Sequence, residues 1–200
     1  MRDAAGEVGV LALQGDFAAH EEALRLFDLP TRQVRAPADL GGIAALVLPG
    51  GESTTMLKLL ASEGLEAPLR ATIASGIPIL ATCAGLILLA REVTEPEQPG
   101  LGVLDITVAR NGYGRQIASG TFLLRGTALP SGTHAVFIRA PRITRVGKGV
   151  EVLAWRGDDP CLVKFRNVIG ACFHPELEPQ HPVTAMFANL ISMVQATNRS

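Results

Sequence analysis

Cys83, His174 and Glu176 are residue types that together can cleave an amide: a thiolate attacks, an imidazole carries the proton, and a carboxylate holds the imidazole in one tautomer. Cys83 ends the apolar run Ile77-Pro78-Ile79-Leu80-Ala81-Thr82 and precedes Ala84-Gly85-Leu86-Ile87-Leu88-Leu89. That order reads as strand, sharp turn and helix, the setting of a nucleophile elbow, with Ala81 and Gly85 as the small residues that let the chain turn. A thiol there is expected to be exposed at the carboxyl end of its strand. It also faces the positive end of the following helix dipole, which favours the reactive thiolate. Taken alone, the segment fits a core cysteine as well, since free cysteine is often fully buried.

Two further segments bear on the choice. Val168-Ile169-Gly170-Ala171-Cys172-Phe173 delivers His174-Pro175-Glu176 at its end. On a continuing strand, residues two apart point to the same side, and Pro175 suits a strand end opening into a loop. In an arbitrary protein His-Pro-Glu is an exposed loop; a cysteine elbow in the same chain gives it a task. The third segment, Ala44-Ala45-Leu46-Val47-Leu48, runs into Pro49-Gly50-Gly51-Glu52-Ser53-Thr54-Thr55. Adjacent glycines can turn backbone N–H groups toward a developing oxyanion. The same turn serves as an ordinary helix start with Ser53 or Thr54 as N-cap. The expected oxyanion donors are the N–H groups of Gly51 and of Ala84, the residue after the nucleophile.

These segments need elements to hold them. Strands are predicted at residues 8–13, 31–34, 45–48, 77–81 and 169–173, and helices at 20–26, 54–60, 65–75, 84–90 and 182–194. A β-rich stretch covers 104–109, 122–125, 133–138, 150–155 and 162–165. Strands alternating with helices imply a three-layer α/β domain: a mainly parallel central sheet with helices on both faces and a β-rich insertion. Ligands bind such sheets at the carboxyl ends of the strands, where Gly51, Cys83 and His174 all fall.

With 200 residues and no linker-like tract, the chain is expected to form one domain over residues 1–200. Charged residues make up 18%, below the roughly 25% of an average soluble protein. The net charge of −1 gives no broad pull on nucleic acid or anionic membrane. Cys83, Cys161 and Cys172 have no zinc-like spacing, and an odd count argues against a disulfide framework; no metal site is expected. Cys172 and Cys161 read as inert strand residues. The N-terminus lacks the pattern of a signal peptide and no run reaches transmembrane length, so the cytoplasm is the default.

Strand-Pro-Gly-Gly, strand-Cys-Ala-Gly and strand-His-Pro-Glu, in that order, resemble the class I, triad-type glutamine amidotransferases. Within them the wording resembles the glutaminase subunits of pyridoxal 5'-phosphate synthases. It is carried by Leu13-Gln14-Gly15-Asp16-Phe17 with His20-Glu21, Pro49-Gly50-Gly51-Glu52-Ser53-Thr54-Thr55, Gly112-Tyr113-Gly114-Arg115-Gln116, Phe137-Ile138-Arg139-Ala140-Pro141 and His174-Pro175-Glu176. The resemblance runs from about residue 8 to 190. One departure is Ser119-Gly120, where those proteins usually carry an aromatic after the serine. The resemblance implies hydrolysis of L-glutamine to glutamate and ammonia by Cys83, His174 and Glu176. It further implies that Gly51, Glu52, Ser53, Arg110, Ile138 and Arg139 bind the glutamine. The ammonia would pass to a separate synthase subunit, with pyridoxal 5'-phosphate as the pathway product and no cofactor in this chain. Arg110 has a plainer reading as a solvated strand-end charge.

Overall fold

The computed structural model describes residues 6–113 and 119–198. In chain order the elements are β1 (Val8–Leu11), α1 (Phe17–Arg25), β2 (Thr31–Val34), β3 (Ala45–Leu48), α2 (Ser53–Ser62), α3 (Glu66–Ala74), β4 (Ile79–Thr82) and α4 (Ala84–Leu89). They continue with β5 (Ala90–Thr94), β6 (Leu104–Ala109), β7 (Gly120–Leu123), β8 (His134–Phe137), β9 (Arg142–Val146), β10 (Glu151–Arg156), β11 (Asp159–Phe165), β12 (Val168–Ala171) and α5 (Pro182–Asn198). Short 3-10 turns lie at Pro37–Leu40 and Pro175–Leu177.

Strands β1, β3, β4 and β12 are buried at every residue, which only a sheet covered on both faces allows. They form the centre of a seven-stranded sheet of order β10-β11-β12-β4-β3-β1-β2. From β2 to β12 neighbouring strands are parallel, and β11 and β10 close that edge antiparallel. Helix α1 packs against α5, and α2 against α4. The covering faces follow helical spacing: α5 buries Val183, Phe187, Leu190 and Ile191, and α2 buries Met56 and Leu60. From β1 the chain steps out to β2 and returns to β3 on the other side of β1. That reversal opens a crevice at the carboxyl ends of β1 and β3, and the loops after β4 and β12 end beside it.

The central sheet agrees with the sequence pattern, while the β-rich stretch divides in a way the pattern does not foretell. Strands β10 and β11 extend the main sheet; β5, β6 and β9 form a three-stranded sheet, and β7 with β8 a two-stranded one. Helix α4 stops at Leu89, and Ala90–Thr94, expected to hold only a helix end, is strand β5 paired with β6. Arg142–Val146 lies outside the predicted strands and pairs with β6 from the other side. Both are polar segments whose conformation is set by a distant partner strand rather than by their own pattern.

Gly85 seats α4 on the sheet. Its N–H donates to the Pro49 carbonyl at 3.1 Å, and a Cβ there would lie 2.0 Å from the Leu48 carbonyl oxygen. Gly85→Ala is therefore expected to destabilise the protein by about 1–3 kcal/mol, the usual cost of overpacking. For a domain of this size that is a fall in Tm of roughly 2–10 °C. Thermal unfolding followed by circular dichroism checks this; an unchanged Tm would mean that α4 is not held this closely.

Candidate active site

Strand β4 ends at Thr82, and the chain reverses at Cys83, which has φ +47° and ψ −103°. An L-residue rarely adopts that conformation, and holding it takes support from all sides. The Cys83 N–H donates to the Ala171 carbonyl at 2.8 Å, tying the turn to the end of β12. Contrary to expectation, Cys83 is only 7% exposed. It opens into a cavity of about 400 Å³ rather than into bulk water, because loops after β1, β3 and β8 rise around the turn. Cys161 and Cys172 are fully buried, outside this cavity. Burial pushes the Cys161 thiol up to about 12 and the Cys172 thiol well above its ordinary value.

His174 stands across the cavity from the elbow. Strand β12 ends at Ala171, two residues short of the expected 173, and Pro175, with its fixed φ, opens the loop as the 3-10 turn Pro175–Leu177. That turn still brings Glu176 Oε1 to 2.7 Å from His174 Nδ1. Both side chains are buried, so His-Pro-Glu is no exposed loop. The imidazole fits because Gly50 has no side chain; a Cβ there would lie 2.4 Å from His174 Cε1. Burial opposes a charge on His174, but its hydrogen bonds with Cys83 and Glu176 outweigh that and raise its pKa to about 10. Burial likewise opposes the Glu176 charge, and His20 and His174 outweigh it, so the carboxyl is held below its ordinary range. Because Nδ1 is engaged with Glu176, Nε2 is the nitrogen left for the thiol.

The glycine turn is gripped from the loop after β1. The Asp16 N–H donates to the Gly50 carbonyl at 3.3 Å, and the Glu52 N–H donates to Gln14 Oε1 at 2.7 Å. Gly15, at φ +97°, approaches so closely that a Cβ on it would lie 1.8 Å from the Gly50 oxygen. Gly51 and Cys83 both line the cavity, while Ala84 is buried behind Cys83 as the first residue of α4.

Glu52, rather than Ser53 or Thr54, caps α2. Its carboxylate accepts from the Thr54 N–H at 3.2 Å and from the Thr55 N–H at 2.7 Å. Arg110 Nη2 donates to the same carboxylate at 2.8 Å, so Arg110 is a cavity residue and not a free strand-end charge. Slight burial raises the Glu52 pKa, and the Thr55 and Thr54 hydrogen bonds outweigh it, bringing it to about 2. Ser53 is buried and donates to Gln98 Oε1 at 3.0 Å. Ile138 and Arg139 follow β8 and line the cavity. Arg139 has φ +43°, and its N–H donates to Ser119 Oγ at 2.9 Å. Gly120, the departure noted in the sequence, leaves room for the Phe122 ring, which a Cβ would meet at 3.1 Å.

Every expected glutamine-binding residue thus lines one cavity together with Cys83 and His174, and Glu176 stands behind His174. The sequence motifs did not assign Gln14, Gly15, Asp16, Ile87 and Asn111 to the site, and these line it too. Nor did they give a role to Arg156, whose guanidinium lies 3.5 Å from the Phe122 ring centre, 4.2 Å from Tyr113 and 4.8 Å from Phe137. These contacts fasten the segments carrying Arg110 and Ile138-Arg139 to the main sheet. Of the motif Gly112-Tyr113-Gly114-Arg115-Gln116, the last three residues lie outside the described residues. One atom each of Asp16, His174 and Glu176 lie within 4.8 Å of one another, the one grouping of metal-ligand type among the described residues.

A thiol and an imidazole on one cavity, a carboxylate behind the imidazole and a glycine turn beside them can carry out acyl transfer from an amide. Guanidinium and carboxylate groups in the same cavity suit a small zwitterion such as an amino acid. Comparison with known proteins agrees. A model of the SNO glutamine amidotransferase family matches residues 10–193. Pyridoxal 5'-phosphate synthase subunit PdxT of Deinococcus radiodurans is 50% identical over 188 residues, covering 92% of this chain and 96% of that protein. Its namesake in Thermus thermophilus is 51% identical over 174 residues, covering 86% and 91%. A solved glutamine amidotransferase superposes with a TM-score of 0.86 at 46% identity, over 94% of this chain and 100% of the other. Another, from Thermotoga maritima, shares the fold, with a TM-score of 0.62 at 14% identity over 96% of this chain and 86% of the other. The matched segment holds the cysteine turn, the glycine pair and the His-Glu pair, and the chain belongs to the SNO glutamine amidotransferase family.

Proposed function

We propose that this chain hydrolyses L-glutamine at a Cys83–His174–Glu176 triad and supplies the ammonia to a separate synthase subunit for pyridoxal 5'-phosphate formation. The observation that carries the reading is the buried His174 side chain, hydrogen-bonded to Glu176 and sharing with Cys83 a cavity lined by Arg110 and Arg139. The name of the Deinococcus and Thermus relatives supports the assignment to that synthase.

Cys83 Sγ attacks the side-chain amide carbon, and the negative charge that builds on the amide oxygen faces the N–H groups of Gly51 and Ala84. The C–N bond breaks as His174 delivers its proton to the leaving nitrogen, releasing ammonia and leaving a glutamyl thioester. His174 then takes a proton from water, hydroxide adds to the thioester, and glutamate departs as Cys83 regains its thiolate. Gly51, Glu52, Ser53, Arg110, Ile138 and Arg139 hold the amino-acid end of the substrate. None of these steps transfers electrons; in this reading the chain carries no cofactor and pyridoxal 5'-phosphate is made elsewhere. Among the described residues no helix is long and apolar enough to cross a membrane, and the reading takes the cytoplasm as the compartment.

Cys83→Ala should abolish glutamine hydrolysis while Cys161→Ala and Cys172→Ala retain it, because only Cys83 faces the cavity. Ammonia release by the three variants, measured with the partner subunit present, checks this; full activity in Cys83→Ala would sink the triad. His174→Asn should be as damaging as loss of Cys83. Glu176→Gln should be milder, since both reacting groups remain and mainly the tautomer and charge of His174 are disturbed. If Glu176→Gln proves worse in steady-state kcat, the two roles are wrongly assigned.

The glycine turn also suggests control by the partner. The Gly50–Gly51 peptide is fixed through its carbonyl by the Asp16 N–H, so a subunit docking on Gln14-Gly15-Asp16 could rotate that peptide and its oxyanion donor. One missing donor costs about 10²–10³ in turnover. Glutamine hydrolysis by the isolated chain should accordingly be at least about tenfold slower than with saturating synthase subunit. Equal rates would mean that the oxyanion hole is already complete and that no switch exists.

A further inference from the structure

The second oxygen of Glu176 lies against a histidine that the triad does not use. His20, on α1, is 2% exposed and places its Nε2 3.3 Å from Glu176 Oε2 and 3.0 Å from Thr82 Oγ1. Thr82 is fully buried and precedes Cys83 directly. Cys83, His174, Glu176, His20 and Thr82 therefore form a closed ring of contacts that returns to the peptide carrying the nucleophile. Oε2 of Glu176 has no fully formed hydrogen bond among the described residues, and the polar group facing it is His20 Nε2.

The protonation of His20 follows from its surroundings. Burial disfavours the imidazolium and lowers its pKa, although Glu176 and Asp16 act the other way. A neutral imidazole has one N–H. With that proton on Nε2 the group donates to Thr82 Oγ1 and turns a positive edge to Glu176. With the proton on Nδ1, a lone pair would face the carboxylate instead, and nothing buried beside Oε2 would balance its charge.

We infer that His20, as its neutral Nε2–H tautomer, is a positioning residue for the triad: it holds Glu176 oriented, so that Glu176 can hold His174. This deepens the proposed triad and rests on it. The titratable groups facing Glu176 or His174 are Cys83 on the elbow, Asp16 and His20 at α1 and His181 before α5. Of these, His20 alone contacts the Glu176 oxygen that His174 leaves unused. Without it, Oε2 loses the one N–H that faces it, Glu176 is free to turn, and the His174 cation loses a fixed partner. The reacting thiol and the glutamine-binding groups stay where they are. Loss of His20 therefore acts on kcat and on the titration of His174, and leaves KM for glutamine nearly unchanged.

The test compares His20→Gln with His20→Asn, both polar and smaller than histidine. A glutamine amide nitrogen reaches the place of Nε2, whereas that of asparagine reaches only the place of Nδ1. Measured with saturating synthase subunit, His20→Gln should keep kcat within about threefold, while His20→Asn should lose about 10–100-fold, by analogy with the outer partners that orient metal-ligating histidines. In histidine-labelled protein, the His174 ring resonance, assigned with His174→Asn, should titrate near pH 10 in the parent. It should titrate at clearly lower pH in His20→Asn and stay near its parent value in His20→Gln. Equal kcat in the two variants, or an unmoved His174 titration in His20→Asn, would overturn the role given to His20. Cys83→Ala run alongside separates the two claims. If it still hydrolyses glutamine, the triad itself is wrong; if it is inactive and the His20 variants match each other, only the His20 inference falls.

Discussion

Keeping the Glu176 carboxylate charged inside the protein is the constraint on which the rest of the site depends. Removing an ion from water costs several kcal/mol even after the protein relaxes, unless partners replace the water. Here the replacement comes from two directions, His174 on one oxygen and His20 beside the other. Those partners belong to the loop after β12 and to α1, so the buried carboxylate keeps its charge only where the first and last thirds of the chain have met. The same pairing turns His174 into a strong base that stays protonated beside Cys83. Folding and chemical readiness are in this sense one event.

Around that pair, three glycines do what no other residue could. Gly50 vacates the space that the imidazole fills, Gly15 lets the loop after β1 touch the glycine turn, and Gly85 lets α4 lie on the end of β3. Each brings backbone against backbone or backbone against ring at distances a Cβ would forbid. The result is a narrow cavity at the carboxyl ends of the parallel strands, with donors on its backbone walls and charged side chains at its rim. Two of the non-glycine residues with positive φ, Cys83 and Arg139, line this cavity. Such residues cost of order 1–3 kcal/mol each, which the packed central strands can absorb.

Much of this was legible in the residues. Strands with apolar side chains on both faces announce a covered parallel sheet, and β1, β3, β4 and β12 lie where that pattern puts them. The expected cavity residues also come together, because the glycine turn, the elbow and the His-Pro-Glu loop each follow a central strand. The misses share a cause. Ala90–Thr94 and Arg142–Val146 are strands because β6 lies between them, a pairing no local pattern reveals. Glu52 is hidden as a cap because Ser and Thr are the usual N-caps; its bond to Arg110 spans 58 positions. Pro175 opens a loop after the strand end, as its chemistry suggests, and the His174–Glu176 pair is closed by a 3-10 turn rather than by the same-side spacing of a strand. His20 meets Thr82 across 62 positions, and only the folded chain shows what it faces.

The central claim is that Cys83 Sγ carries a covalent glutamyl intermediate. A glutamine-mimicking electrophile, such as a diazoketone analogue of the amino acid, tests it most directly when applied to the chain together with the proposed synthase subunit. Peptide mapping by mass spectrometry should find one adduct, on Cys83, appearing in step with loss of glutamine hydrolysis, and none on Cys161 or Cys172. Adducts on another residue, or glutamine hydrolysis that persists after Cys83 is fully modified, would contradict the account.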